Sequence, residues 1–418
     1  MSEELSGRLR AAAGFLRTFI KWLVIAAVTG AVGGLIGTAF YLSVGGANAL
    51  RESFPLLLWF LPAAGIVIAL IYRYTHMESE GTNAVIDSIH LGERIPLALV
   101  PVIFASTVLT HLCGGSAGRE GAALQIGGGI GWSMGRIFRL DDKDMRLATL
   151  CGMSALFSAL FGTPLTATIF ALEVISVGVV YYSGLVPCLT AALAAYGVTR
   201  LFDVPPTAFA VAAPGLSAGL LWRVAVLGVA CAAMSIVFCV VMHRGEHYIA
   251  KALKNPYLRA AAGGFAIIGL TCLCGTTDYN GAGMDVIARA LAGEADGWAW
   301  LLKILFTAVT IGCGFKGGEV VPSFFVGAAF GCFMGGLLGL PAGFGGAIGL
   351  VAVFCGAVNC PVASVLLSVE LFGSAGAPYF AVACALSYLL SGYCGLYSSQ
   401  TILYSKLRAE FINVRTHE

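Results

Sequence analysis

Apolar residues run in long, nearly unbroken stretches along this chain, and polar positions gather into short connections between them. Phe19 to Leu42, Leu56 to Tyr72, Trp222 to Met242 and Ala347 to Phe372 are the clearest stretches. Several reach the roughly 20 residues that a helix needs to cross a hydrocarbon layer. None carries the polar face of an amphipathic helix on a soluble protein. The pattern predicts an all-α bundle of membrane-spanning helices.

Composition agrees. Only 11% of the 418 residues are charged and 58% are hydrophobic, whereas a soluble domain carries roughly 25% charged residues. Nothing in the net charge of +2 points to a nucleic-acid partner. Most of the 13 cysteines, among them Cys151, Cys231, Cys239, Cys272, Cys332 and Cys384, fall inside apolar runs, where a thiol acts as a small hydrophobe. No spacing resembles a ligand set, so no metal, cofactor or structural disulfide is expected. The charged N-terminus and the length of the first apolar run argue for a retained helix rather than a cleaved signal.

Lys and Arg outside the spans set the expected orientation. Arg8, Arg10, Arg17 and Lys21 precede the first span, and Arg244, Lys251, Lys254 and Arg259 follow the Trp222 stretch. Both groups should face the cytoplasm. The connections at 43–55 and 202–214 hold little net positive charge and should face outward. A multi-pass protein of a bacterial inner membrane fits this layout.

Self-similarity at an offset of about 200 residues organises the chain. Gly81-Thr82-Asn83, Thr107 to Gly114 and Gly118-Arg119-Glu120 recur in order as Gly281-Ala282-Gly283, Thr307 to Gly314 and Gly317-Gly318-Glu319. Pro164 and Glu173 recur as Pro361 and Glu370 at the same spacing. Such repeats mark transporters whose ion site lies between two halves near the midplane. The expected division is a cytoplasmic N-terminus (1–14), a first repeat (15–200), an external connection (201–214), a second repeat (215–412) and a cytoplasmic tail (413–418). With the connection outside and the N-terminus inside, the repeat is inverted.

Three segments interrupt the apolar pattern at membrane depth: Glu80 to Asn83, Gly114 to Gly121 and Gly314 to Pro322. Irregular backbone is tolerated there only where protein packs it or water reaches it. Each break precedes residues able to start a helix, and free N–H groups at a helix start attract anions without a full positive charge. Glu120 and Glu319 stand in two of these breaks. An ionised carboxylate in a low-dielectric setting is costly and tends to take up a proton. Glu120 is therefore expected to occupy the anion position when charged and to leave it when protonated. Arg119 is expected to pair elsewhere, because sequence neighbours seldom face each other on a helix. Glu173 and Glu370 suit an architectural role, His111 that of a packed polar residue, and Phe324-Phe325 either the anion path or packing.

At these residues the chain resembles the CLC family of chloride channels and proton-coupled anion transporters. GSAGREGAALQIG at 115–127 is similar to that family's GREGP-type motif, GGEVVPSFFVG at 317–327 to its later GG-x-x-x-P motif, and LYSKL at 403–407 to its terminal tyrosine segment. The resemblance covers nearly the whole chain. It implies Glu120 as gating glutamate, Glu319 as a second proton-transfer group, Tyr404 as the inner-gate hydroxyl and Thr82 at the anion-coordinating position. Gly118, Arg119, Gly121, Val320 and Val321 complete the implied anion site. It also implies a homodimer in the lipid bilayer and no enzymatic activity, and no regulatory CBS domains are expected, since six residues follow Ile412.

Gly81-Thr82-Asn83-Ala84-Val85 lacks the proline of the family's GSGIP-like segment, Glu319 directly follows the later glycines, and Val174 replaces the internal relay glutamate. These departures resemble the fluoride/proton antiporter branch. The implied function is export of fluoride in exchange for protons, and the alternative is a chloride/proton exchanger or chloride channel of the same fold. A sodium-coupled carrier is disfavoured by the paired GREG and GGEVVP motifs. An intramembrane serine protease is disfavoured because neither Gly152-Met153-Ser154-Ala155 nor Gly215-Leu216-Ser217-Ala218 supplies Gly-x-Ser-Gly.

Overall fold

The computed structural model describes residues 2–77, 81–341 and 343–416. Glu80, at the start of the first polar break, and the last two residues of the expected tail lie outside these. Among the described residues sixteen α-helices follow one another, and the second eight repeat the first eight in order. Helix α1 (Ser2–Ser53) is matched by α9 (Ala218–Ala252), α2 (Leu61–Tyr74) by α10 (Pro256–Cys274), α3 (Thr82–Leu91) by α11 (Met284–Ala292), and α4 (Leu99–Leu112) by α12 (Ala299–Gly312). The series continues with α5 (Glu120–Ile137) and α13 (Val320–Leu337), then α6 (Asp142–Phe161) and α14 (Phe344–Val358). It closes with α7 (Pro164–Glu173) and α15 (Pro361–Phe372), and α8 (Leu185–Leu201) and α16 (Ala377–Leu390). Packing repeats too: α5 lies along α6 and α1 along α8, as α13 lies along α14 and α9 along α16.

Seven of these helices are long and apolar enough to cross a membrane. Between apolar helices in lipid, close backbone approach replaces the hydrophobic drive, so small residues collect at the contacts. Gly127 on α5 meets Gly152 on α6 so closely that a Cβ on Gly127 would stand 2.5 Å from the Gly152 carbonyl oxygen. Gly327 and Gly349 repeat that contact between α13 and α14. The α-helices are joined by one small sheet, which the apolar pattern does not announce. Strand β1 (Ser176–Val177) pairs in parallel with β2 (Thr401–Tyr404), and β2 pairs antiparallel with β3 (Phe411–Arg415), strapping the C-terminal segment to the first half.

The halves are stitched by reciprocal bonds at equivalent positions, the signature of a local two-fold axis. The Gly118 N–H donates to the Gly318 carbonyl at 2.7 Å, and the Gly318 N–H donates back to Gly118 at 2.8 Å. The Ser116 N–H donates to Thr310 Oγ1 at 3.0 Å, and the Lys316 N–H to Thr110 Oγ1 at 3.3 Å. The Glu173 carboxylate accepts from the N–H groups of Val362 and Ala363 at 3.1 and 2.9 Å, at the start of α15. The Glu370 carboxylate does the same for Leu165 and Thr166 at 3.0 and 2.8 Å, at the start of α7. Each glutamate thus satisfies orphan donors of the opposite half's helix, with its negative charge at the positive end of the helix dipole.

This exchange has a measurable cost when broken. Replacing Glu173 or Glu370 with Ala leaves two helix-start N–H groups unmade, and each loss should lower the stability of the detergent-solubilised protein by roughly 2–3 kcal/mol. The double variant should be close to additive, because the two caps share no partner. Thermal unfolding of the three variants checks both statements.

Candidate functional site

Two helices begin where the halves meet. The Gly118–Gly318 bridge holds the backbones just ahead of α5 and α13 side by side, so their first N–H groups converge on one region. A Cβ on Gly121 would stand 2.8 Å from Gly318 Cα, so only glycine permits the approach. The carboxylate of Glu120 occupies that region. Its Oε2 accepts from the Arg119 N–H at 2.9 Å, and the backbone N–H groups of Glu120 itself and of Val321 lie within electrostatic reach of the carboxylate. Backbone donors of both halves therefore surround one side chain, which is 1% exposed. Gly118 makes room for it, since a Cβ there would lie 2.5 Å from Glu120 Oε2. Val320 and Val321 are buried around it as the first residues of α13.

Arg119 does not pair elsewhere. Its Nε lies 3.5 Å from Glu120 Oε1. The neighbour rule applies inside a helix, whereas Arg119 is the N-cap of α5, and the turn there brings both side chains to one side. Arg119 also stacks over Tyr41, 4.5 Å from the ring centroid, and donates to the Leu160 carbonyl at 3.4 Å. Held from three sides, its charge is a fixed neighbour of the Glu120 carboxylate. His111 is fully buried, with Nε2 3.4 Å from the Gly118 carbonyl.

Glu319 is the N-cap of α13 and faces a different space. A cavity of ≈330 Å³ is walled by Thr82, Gln125, Glu246, Arg259, Lys316, Glu319 and Tyr397, among others. Gln125 Nε2 donates to Thr82 Oγ1 at 3.2 Å, and Thr82 Oγ1 donates to the Gly121 carbonyl at 3.4 Å, linking this wall to the start of α5. A second cavity, ≈470 Å³, is lined by Arg51, Glu52, Asn280 and Asp285, among others. Glu120 lines neither cavity. Phe324 and Phe325 line neither as well. Phe324 packs on Phe354 and Phe161 at 5.0 and 5.8 Å, and Phe325 packs on Tyr279 at 6.2 Å.

Tyr404 is not where the resemblance implies it. It lies on β2, 46% exposed, with its ring against Phe411 at 5.5 Å, and it does not line the Glu319 cavity. The tyrosine that lines it is Tyr397, 2% exposed, whose hydroxyl has no hydrogen-bond partner among the described residues. Both Glu120 and Glu319 lie within electrostatic reach of that hydroxyl. Its loop is pinned on each side. The Leu396 N–H donates to the Ala357 carbonyl at 2.8 Å, and the Ser399 Oγ donates to Asp87 at 2.6 Å. Gln400 Nε2 spans the carbonyls of Val174 and Val358 at 2.9 Å each. The local signal is slight: Gly395 to Gln400 is a glycine-and-serine turn that can bring a ring inward.

Comparison with known proteins follows from this geometry. The family profile described as voltage gated chloride channel matches residues 63–392. The chain is 36% identical to a chloride/fluoride channel protein of Pseudomonas syringae pv. tomato over 397 residues, covering 92% of this chain and 87% of that one. It is 25% identical to an H(+)/Cl(-) exchange transporter, ClcA, of Yersinia pestis, covering 84% and 80%. Among solved structures, a CLC-type fluoride/proton antiporter superposes with a TM-score of 0.88 at 31% identity, covering 91% of this chain and 98% of that one. A slow cyanobacterial Cl-/H+ antiporter superposes at 0.77 with 17% identity, covering 88% and 94%, a likeness of fold.

The two tyrosines separate cleanly by experiment. Removing the buried hydroxyl with Tyr397→Phe takes a donor from the Glu319 cavity and should slow anion flux roughly tenfold, the effect of one lost hydrogen bond to a charged partner. Tyr404→Phe, on an exposed strand, should stay within about twofold of the parent protein. Anion efflux from loaded proteoliposomes reports both.

Proposed function

The chain belongs to the voltage gated chloride channel (CLC) family, and on that premise we propose that it exports fluoride from the cytoplasm in exchange for protons. The observation that carries the proposal is the position of the Glu120 carboxylate, which accepts from the Arg119 N–H at the start of α5 and lies within electrostatic reach of the Val321 N–H at the start of α13, where an anion would bind. A carboxylate and a halide ask for the same donors. When Glu120 takes up a proton it loses the charge that holds it, frees those N–H groups, and an anion replaces it. When it releases the proton it expels the anion. The swap couples the two flows in opposite directions without a dedicated channel for either.

Fluoride suits the donors. The ion is small and strongly hydrated, so a site must replace its water with close N–H and O–H groups. Backbone donors from Glu120, Gly121 and Val321, with the Tyr397 hydroxyl, form such a set, and Thr82 joins it by turning its O–H from the Gly121 carbonyl to the anion. Arg119 biases the site toward anions without closing on them, since its guanidinium is held by Tyr41 and Leu160. The weak acid hydrogen fluoride crosses membranes as the neutral species and ionises in a more alkaline cytoplasm, so inward proton movement supplies the drive for export. Proton transfer on the inner side falls to Glu319, in the ≈330 Å³ cavity, because Val174 stands where a relay glutamate would be needed. The fluoride/proton antiporter structure and the chloride/fluoride relative support this cargo. The ClcA relative keeps chloride/proton exchange as the second reading.

In this reading the N-terminus and the Glu319 cavity face the cytoplasm, the repeats run over 15–200 and 215–412, and two subunits associate in the bilayer of a bacterial inner membrane. The protein is a carrier and performs no covalent chemistry. In proteoliposomes with a pH gradient, Glu120→Gln should keep fluoride efflux and lose fluoride-driven proton uptake. Proton uptake equal to that of the parent protein would refute the coupling role, and chloride efflux exceeding fluoride efflux in the parent would favour the second reading.

A further inference from the structure

The two hydroxyls that line the Glu319 cavity come from segments more than 300 positions apart, and one cluster of hydrogen bonds ties those segments together. Thr82 opens α3, and Tyr397 stands in the loop that precedes β2. Asn83 and Asp87 lie one turn apart on α3, so their side chains share a face. That face meets Ser399, just beyond Tyr397. The Ser399 N–H donates to Asn83 Oδ1 at 3.2 Å, and the Ser399 Oγ donates to Asp87 Oδ2 at 2.6 Å. Ser399 is buried, so water competes little for either bond.

The backbone of Tyr397 is held from the other side as well. Thr416 Oγ1 donates to the Tyr397 carbonyl at 2.6 Å, and the Gln400 N–H donates to it at 3.0 Å. Arg415 Nη2, on β3, lies 3.3 Å from Asp87 Oδ1, but its guanidinium is largely exposed and such a pair adds little. Across the cavity, Gln125 Nε2 donates to Thr82 Oγ1 at 3.2 Å, which fixes the oxygen and leaves its proton free to turn. The buried Tyr397 hydroxyl has no partner among the described residues. Two hydroxyl donors therefore line one cavity from segments that are bonded directly to each other. Neither segment can retreat without breaking the bonds at Ser399. Donors held at a fixed spacing select ions by size, because a larger ion must push them apart, whereas loosely held donors give way to it.

We propose that Asn83, Asp87 and Ser399 form a clamp that sets the spacing of the Thr82 and Tyr397 hydroxyls and so makes the cavity select fluoride over larger halides. It rests on the reading of the protein as a fluoride carrier and adds what gives the cavity its preference. All three are positioning residues, acting on the ion through the two hydroxyls. The clamp works by denying the cavity the slack that a larger anion needs.

The test is the ratio of fluoride to chloride efflux from one proteoliposome preparation, a ratio in which any loss of folded protein cancels. Ser399→Ala removes the hydroxyl bond to Asp87 and should lower the ratio roughly fivefold, chiefly by raising chloride efflux. Asp87→Ala should do the same. Asp87→Asn keeps an oxygen for the Ser399 hydroxyl and should hold the ratio within about twofold of the parent protein. Arg415→Gln, which removes only the exposed pair, should also stay within about twofold. In a Tyr397→Phe background, Ser399→Ala should change the ratio far less, since the donor that it positions is gone. Equal slowing of both ions in Ser399→Ala and Asp87→Ala, with the ratio kept within about twofold, overturns the clamp. A parent protein that moves chloride faster than fluoride overturns the cargo instead. Whether Ser399→Ala shifts the parent's ratio then decides the clamp on its own.

Discussion

The structure depends on one arrangement: free backbone N–H groups at the starts of α5 and α13, brought together by the exchanged bonds of Gly118 and Gly318. Helix starts carry partial rather than full charges. They can hold an anion in a low-dielectric interior and still release it, which a buried lysine could not do as readily. Glycines at 118, 121 and 318 allow the backbones to approach so closely, and the same closeness means that the cradle has room for one negative group at a time. A carboxylate on a flexible side chain and a diffusible halide are then exclusive occupants. Coupling follows from that exclusion.

Around the cradle the frame is stiff. Glu173 and Glu370 each cap the other half's helix, and Thr110 and Thr310 each accept from the other half's backbone. Four glycines let α5 pack on α6 and α13 on α14 at backbone distance. The groups left free to respond to ions are side chains: Glu120 in the cradle, and Glu319 and the Tyr397 hydroxyl on the cavity wall. Motion of one carboxylate, rather than of whole helices, is the displacement that this frame allows at least cost.

Much of this was legible in the sequence because it rests on local patterning. Apolar runs gave the helices, glycine and polar breaks gave the helix starts, and the offset near 200 residues gave the pairing that appears as reciprocal hydrogen bonds. The recurrence of Glu173 and Glu370 pointed to a shared structural place, which proves to be the capping exchange. The misreadings have a common physical source. Tyr404 and Tyr397 lie in a tail without helical period, where burial depends on tertiary contacts from Asp87, Ala357 and Val174 that no short window contains. The Arg119–Glu120 contact escaped because a helix-neighbour rule was applied at an N-cap. The β1–β2 pairing joins residues more than 200 positions apart through two- and four-residue strands, too short to leave an alternating signature.

The central claim is that a proton on Glu120 and an anion in the cradle favour each other. Calorimetric titration of the detergent-solubilised protein with fluoride across pH measures this linkage without any transport step. The account requires anion affinity to rise as pH falls, by up to about tenfold per pH unit over the range in which the carboxyl titrates, because each bound anion must displace a side chain that leaves only when protonated. An affinity independent of pH across that range would show that Glu120 and the anion do not compete, and would contradict the account.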